Sequence, residues 1–587
     1  MINFKEDEKL HVLNHSCAHL MAQAVKHLYP HAKFWVGPVV DEGFYYDMDL
    51  GDDVIHDEDL EKIEKEMKKC SKDAKKIIGR EVTKEEALEL FKDDVYKLDL
   101  INGMEDGEPI TVYTQGDYSD LCRGPHMENT KQVKYFKLLK HSGAYWKGDK
   151  NNKVLQRVYG VCLPTQEELD AYLEELEDMK ARDHRKLGKD MQMFMFSDLV
   201  GAGLPIWLPN GFTLRRIMAD YMMNLELNNG YVHVKTPVVA NVRLYKTSGH
   251  WAHYRDDMFP EMGMDEDESY VLRPMNCPEH MVIYKSQLHS YRDLPIRIAE
   301  IADDFRYEAS GALTGMERLR GFAQNDSHIF VRADQIKEEC QRVLDLIIAV
   351  YRDFGINNYR FRLSLRDINN KDKYFGNDEL WELSETALRE VLVERNVPFY
   401  EAPGEAAFYG PKIDVQIRTA VGHDVTMSTV QVDYQLPLRF ELNYIDANGQ
   451  KVTPIVIHRA ILGSLDRFMA ILLEETKGVL PVWLAPVQVE ILPVSPEKHG
   501  PYAAELAAAL RAKGIRTEVD ERNEKLGYRV REAQTRKIPV ELVVGDQEAE
   551  SHGVTLRRYG SKDEVQMSFV EFTEMIEKEI AARSVKA

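Results

Sequence analysis

The stretch PTQEELDAYLEELEDMKARDHRKLG, which begins at Pro164, limits what this chain can fold into more than any other. Thr165 stands where a helix N-cap belongs, and Glu168, three residues on, completes the reciprocal capping arrangement of a helix start. Leu169, Leu173 and Leu176 make a narrow apolar stripe on an otherwise charged helix. Such a helix connects and does not build a core. The spacing predicts a linker helix over 165–187, so the chain on each side must bury its own apolar residues. A single core is excluded in any case for 587 residues, since cores stop growing near ~300 residues and longer chains divide.

The two sides differ in pattern. Residues 1–164 mix short strands (AKFWVGPVV, GFYYDMDL, EPITVYT) with a charged helix near 58–76, an α+β arrangement. Residues 188–480 carry aromatic-rich and β-branched strands separated by long helical segments, without the regular alternation of a doubly wound sheet. That pattern predicts an antiparallel sheet with flanking helices. After PVWLAP, residues 481–587 alternate strand and helix at the size of one α/β domain. The fold class is therefore multidomain α+β. No internal repeat or low-complexity segment interrupts it.

No run of 18 or more apolar residues occurs, and the start MINFKEDEKL is charged where a signal peptide would be apolar. The expectation is a cytoplasmic protein that neither crosses a membrane nor is secreted. Six scattered cysteines lack a disulfide rhythm, so a functional cysteine here is a ligand or a nucleophile. A formal net charge of -22 argues against indiscriminate nucleic-acid binding. The basic tracks ARDHRKLGK and MERLRGF leave room for a polyanion at chosen places, and read equally as solvated helix faces. A P-loop is excluded, because no GxxxxGK[ST] is present.

Three residues invite a metal. Cys277 lies in RPMNCPEHMVIY, His328 in FAQNDSHIF and His458 in PIVIHRAILGS, the two histidines at the ends of apolar strand-like runs. One sulfur and two imidazoles form a three-ligand zinc set with the fourth position open. A second group lies near the start: HSCAH puts His15 and His19 four apart on one helix face, and CRGPH brings Cys122 and His126 together around Gly124 and Pro125. HxxxH with CxxxH is a four-ligand zinc pattern, and read from the residues alone its use with or without metal stays open.

The segment RIAEIADDFRYEASGALTGMERLRGFAQNDSHIF with ILGSLDRFMAIL resembles the second and third signature motifs of class II aminoacyl-tRNA synthetases. The helix from about Gly211, YVHVKTP and Pro237 resemble the first, which builds the dimer interface in that class. With MNCPEH, FYGPKID, TVQVDYQLP and VIHRAILGS added, the chain is identified as a member of the threonyl-tRNA synthetases over essentially its whole length. The resemblance implies that Arg306 grips the ATP α-phosphate, Glu308 the adenine edge, and Arg467 the triphosphate and base, with Mg2+ sharing the charge. It places Lys412, Met275, Gln324, Asp326, Tyr409 and Gln431 around the amino acid and the adenylate. The partners it implies are threonine, ATP, tRNA(Thr) and a second copy of the chain.

Zinc on Cys277, His328 and His458 would then ask a chemical question, since shape alone separates threonine from isosteric valine by only about a hundredfold. Asp326 accepts the proton of the same hydroxyl in this reading. Serine escapes such a test, because a missing methyl is worth only ~1–3 kcal/mol. A hydrolytic second site is therefore expected. The resemblance assigns it to His15, His19, Cys122 and His126 with Tyr46, Lys97 and Asp120, positioning water to cleave seryl-tRNA without an obligatory metal. The tail resembles an anticodon-binding domain, with Asn523, Glu548 and Arg557 as candidate readers of unstacked bases. Many bacterial members carry a ubiquitin-like module before the editing domain, and with 14 residues ahead of His15 its absence is expected. A catalytically silent relative acting as an RNA-binding regulator is the alternative, and a phosphate clamp built from Arg306 and Arg467 argues against it. A metallohydrolase built on the N-terminal histidines leaves most of the chain unexplained.

Overall fold

The structure is a computed structural model describing residues 2–583 except 106, 266–267, 371–373, 375–377, 420–421 and 423. The chain folds into two compact units, Met1–Asp178 and Met179–Ala587. The division falls inside the helix Gln166–Arg182. Its capping box forms: Thr165 N–H donates to Glu168 Oε2 at 3.1 Å, and Glu168 N–H donates to Thr165 Oγ1 at 3.2 Å. Leu169 is buried, and Leu173 and Leu176 pack beside it. The helix does not run on to 187. Asp183 leaves helical geometry and caps a second short helix, His184–Asp190, by accepting from Arg185 N–H at 2.8 Å.

In the first unit, helix α1 (Glu8–Leu28) starts at Asp7, whose carboxylate accepts from two backbone amides. It packs with α2 (Asp57–Lys72) against an antiparallel sheet whose long strands are Gly43–Asp49, Val154–Leu163 and Tyr135–Tyr145. A second sheet pairs Ile77–Val82, Ile110–Gln115 and Tyr118–Leu121. Gly124 sits at φ +63°, and a Cβ there would lie 2.2 Å from Tyr113 Oη, so the turn after Cys122 requires glycine.

The second unit is built on an eight-stranded sheet. Its middle strands are β1 (Ile296–Phe305), β2 (Gly321–Val331), β3 (Lys412–Arg418), β4 (Asp424–Asp433) and β5 (Ile455–Ser464), in the spatial order β1-β2-β5-β4-β3, all antiparallel. Side chains alternate across the sheet. Ala323, Ile329 and Val331 of β2 enter a core shared with helices α3 (Pro209–Asn228), Ile336–Phe354 and α5 (Leu465–Thr476). Gln324, Asp326 and His328 of the same strand line a cavity instead. Helix α4 (Cys277–Lys285) carries Cys277 in its first turn, with Pro278 beside it where proline costs no hydrogen bond. A five-stranded mixed sheet covers the tail, in the order Thr517–Val519, Val489–Pro493, Val540–Val544, Gly553–Arg558 and Glu564–Ser568.

A buried ion pair ties this unit together. Glu226 of α3 meets Arg459 of β5 at 2.7 Å with both side chains fully buried, and Asn325 of β2 donates to the same carboxylate oxygen at 2.9 Å. Removing one partner strands the other charge. Glu226→Ala is expected to destabilise the second unit by ~3–5 kcal/mol, with Glu226→Gln costing less, read from the shift of the chemical-denaturation midpoint.

Candidate functional site

A cavity of about 750 Å³ opens on one face of the large sheet. Its floor is a register. His328 pairs with His458, His458 with Gln431, and Gln431 with Lys412, so four polar residues stand abreast on neighbouring strands. Cys277 approaches from the first turn of α4, and one ligand atom each from Cys277, His328 and His458 lies within 4.8 Å of the others. Neither histidine closes its strand, as the sequence suggested. Each sits inside one, which fixes its direction better than a strand end would.

The two rings are held from behind. His458 Nε2 meets Asp433 Oδ2 at 2.8 Å, leaving Nδ1 toward the cavity. His328 Nδ1 meets His280 Nδ1 at 2.8 Å, and its buried Nε2 has no hydrogen-bond partner among the described residues. An orphaned buried nitrogen beside a sulfur and a second imidazole fits a zinc-class ion. Burial raises the Cys277 thiol well above its usual value, with Asp326 and Glu279 adding to the effect. Burial also pushes Asp326 up to about 6.

Further along the cavity the charge changes sign. Arg306 follows the end of β1 and lies 5.1 Å from the Phe322 ring centre and 5.9 Å from that of Tyr254. Arg467, in the first turn of α5, donates to the carbonyls of Glu317 and Thr426 at 2.9 Å each. Burial and the nearby Arg306 lower the Arg467 pKa, a crowding that an anion between them would relieve. Glu308 holds Arg318 at 2.8 Å. Lys412 pairs with Asp414 at 2.9 Å, and Met275, Gln324, Tyr409 and Gln431 complete the walls. A Cβ on Gly410 would stand 1.7 Å from the Val432 carbonyl oxygen, so only glycine lets Tyr409 approach here.

Sequence reasoning missed several members. His250 is buried with Nε2 3.6 Å from Cys277 Sγ, and burial together with His458 and Arg306 lowers its pKa to about 4. His280 and Glu300 stand behind His328. His184 supports Met316, a lining residue, from behind: its Nδ1 meets Glu474 at 2.7 Å and its Nε2 accepts from Met316 N–H at 3.0 Å. Nothing in the local sequence distinguishes these from ordinary core histidines. The two basic tracks are largely occupied, with Arg182 and His184 bound to Glu474 and Arg320 to the Glu308 carbonyl.

In the first unit, His15, His19, Cys122 and His126 also converge within 4.8 Å. Cys122 Sγ lies 3.1 Å from His15 Nε2 and 3.2 Å from His126 Nε2, while Ser16 Oγ meets His126 Nδ1 at 3.1 Å. Burial lowers His15 to about 4, and pushes His19 and His126 down as well, so all three rings are neutral near pH 7. Burial lifts the Cys122 thiol to about 12. Behind them Lys97 Nζ touches Asp120 Oδ1 at 2.5 Å and Tyr46 Oη at 3.2 Å, and Tyr46 also donates to Asp120.

The candidate base readers are disposed differently. Asn523 is exposed in a loop. Glu548 spends both oxygens within the domain, accepting from Gly545 N–H at 2.9 Å and from Thr555 Oγ1 at 2.8 Å. Arg557 pairs with Glu564 across neighbouring strands.

Residues 258–476 match the tRNA synthetase class II core domain (G, H, P, S and T), 488–579 an anticodon binding domain, and 110–159 the threonyl and alanyl tRNA synthetase second additional domain. The threonine–tRNA ligase of Staphylococcus carnosus is 56% identical over 566 residues, 96% of this chain and 87% of that protein. The threonine–tRNA ligase of Geobacillus sp. (strain WCH70) is 54% identical over 575 residues, 98% and 89% of the two chains. Among solved structures, the RNA binding domain of threonyl-tRNA synthetase from Cryptosporidium parvum Iowa II superposes with a TM-score of 0.63 at 36% identity, covering 68% of this chain and 98% of that one.

The Lys97–Asp120 pair makes a direct test of the first-unit pocket, because both side chains are at most 3% exposed. Lys97→Met leaves a carboxylate buried without its cation and is expected to cost ~3–5 kcal/mol of stability in that unit. Chemical denaturation measures it; an unchanged midpoint would mean that Asp120 finds water.

Proposed function

Since the chain belongs to the threonyl-tRNA synthetases, class II ligases that charge tRNA at the expense of ATP, we propose that a zinc ion on Cys277, His328 and His458 selects its threonine. The observation that carries this reading is the convergence of the three ligand atoms around the buried His328 Nε2, which makes no hydrogen bond among the described residues. When bound, zinc would supply Lewis-acid contacts that an amino group and a side-chain hydroxyl can both use and that valine cannot fully use.

The chain's own groups do the rest. Asp326, two residues from His328 on the same face of β2, accepts a hydrogen bond from the substrate hydroxyl. Arg306 and Arg467 bind the triphosphate, their planar guanidinium groups matching two oxygens each where charge grows on the attacked phosphorus. Mg2+ bound with ATP shares that charge. Tyr409, Gln431 and Lys412 border the amino acid, and Glu308 the adenine. The threonine carboxylate attacks the α-phosphate and pyrophosphate leaves; the terminal ribose hydroxyl of tRNA(Thr) then loses its proton as it takes the acyl group from the adenylate, and AMP leaves. The tail domain holds the anticodon, and a homodimer forms through α3 and the strand after it.

For the first unit we infer hydrolytic removal of serine from mischarged tRNA. Three neutral imidazoles can accept hydrogen bonds from water and orient it, while Lys97, Asp120 and Tyr46 hold the pocket's shape and charge. The water oxygen adds to the ester carbonyl and the ribose oxygen leaves with a proton. No metal is needed for these steps.

Two assays check the proposal. Threonine-dependent pyrophosphate exchange should fall by at least about a hundredfold in Cys277→Ser, a loss of ~3 kcal/mol in transition-state stabilisation. Exchange that persists with full rejection of valine would remove zinc from the reading. Separately, His15→Ala combined with His19→Ala should let seryl-tRNA(Thr) accumulate while threonine exchange is unchanged; wild-type deacylation by the double variant would end the editing assignment.

A further inference from the structure

A metal-binding imidazole must offer the right nitrogen, and the one behind it decides which. His328 Nδ1 lies 2.8 Å from His280 Nδ1, so in this contact one nitrogen carries the proton and the other accepts it. His280 in turn puts Nε2 3.3 Å from Glu300 Oε2. Glu300 is fully buried at the centre of β1, opposite Asp326 of β2. Burial works against its charge, but hydrogen bonds from His280, Thr236 N–H and the Thr236 hydroxyl, with Arg273 nearby, hold it at about 2. The carboxylate is therefore ionised and only accepts.

Resting on the zinc reading above, we propose that Glu300 and His280 are positioning residues that fix His328 with its proton on Nδ1, presenting the Nε2 lone pair to the ion. Asn276 Nδ2 lies 3.5 Å from His280 Nε2 and donates to the same Glu300 oxygen at 3.3 Å, so amide and imidazole both turn donors toward that carboxylate, and the chain of contacts reads in one direction. With the Glu300 carboxylate accepting from His280 Nε2–H, His280 Nδ1 is the acceptor of the 2.8 Å contact and His328 Nδ1 donates to it. His328 Nε2, buried, without a hydrogen bond among the described residues and 3.8 Å from Asp326 Oδ2, is then bare. On the other ring Asp433 does the same at Nε2 and leaves Nδ1 of His458 bare. The two imidazoles thus offer opposite nitrogens, each set by a carboxylate, one directly and one through an intervening ring. Carboxylate partners of this kind fix ligand tautomer and raise ligand basicity. His280 sits one turn along α4 from Cys277, so the same short helix supplies both the sulfur and the support of the first imidazole.

The test is zinc affinity of the full-length protein, measured by competition with a chromogenic chelator, alongside thermal stability. His280→Leu should weaken zinc binding by about 10–100-fold, the usual cost of losing such a partner. His280→Gln should keep it within about threefold, because the amide oxygen accepts from His328 and the amide nitrogen donates to Glu300, as neutral histidine does. A glutamine variant as weak as the leucine variant would overturn the relay in favour of simple packing. So would a leucine variant with wild-type affinity. If His280→Leu does not fold, Glu300→Gln serves, since its amide can donate to His280 and reverse the chain; unaltered zinc affinity there overturns the proposal. Cys277→Ala separates the two readings: if it holds as much zinc as wild type, the metal assignment itself fails and the relay with it.

Discussion

Strand register is the constraint on which the large cavity depends. Three antiparallel pairings bring His328, His458, Gln431 and Lys412 into one row, and a slip of one residue in any strand would turn its contribution to the other face. The register is held from the helix side. Glu226, Arg459 and Asn325 join α3, β5 and β2 through one buried carboxylate, and a misplaced strand would leave a charge without its counterion. Packing by apolar residues tolerates small shifts; this contact does not. Helix α3 and strands β2 and β5 are thus aligned by one buried carboxylate.

Burial serves opposite ends in the two pockets. In the large cavity it crowds two guanidinium groups until an anion is welcome. In the first-unit pocket it keeps three imidazoles uncharged near neutrality, so each keeps a nitrogen lone pair for a hydrogen bond. The same low-dielectric surroundings crowd positive charge in one and exclude it in the other, because the residue types differ.

Much of this architecture was legible in the chain. Thr165 and Glu168 announced their helix, because a capping box is a local arrangement with few other uses. The strands around RIAEIADDF and VIHRAILGS stood out by apolar content, and the ligating residue types are rare enough to notice. What escaped was whatever depends on pairing across long separations. His280 and Glu300 look like ordinary members of an apolar helix and strand until β1 is laid beside β2. Glu226 and Arg459 are far apart in sequence, and no local pattern couples them. The linker's early end at Arg182 also escaped, since Asp183 reads as one more charge in a charged helix until its carboxylate is seen capping the next one.

That second short helix bears on where the catalytic half can be cut. His184 is buried between the Glu474 carboxylate and the Met316 amide, and Arg182 donates to the carbonyls of Glu474 and Glu475. A fragment beginning at 188 would leave those interior groups without partners, at roughly 1–3 kcal/mol for each, and would loosen the loop at Met316 that borders the cavity. Anyone wishing to express the synthetic half by itself should begin upstream of residue 182, accepting a ragged stub of helix as the lesser disturbance.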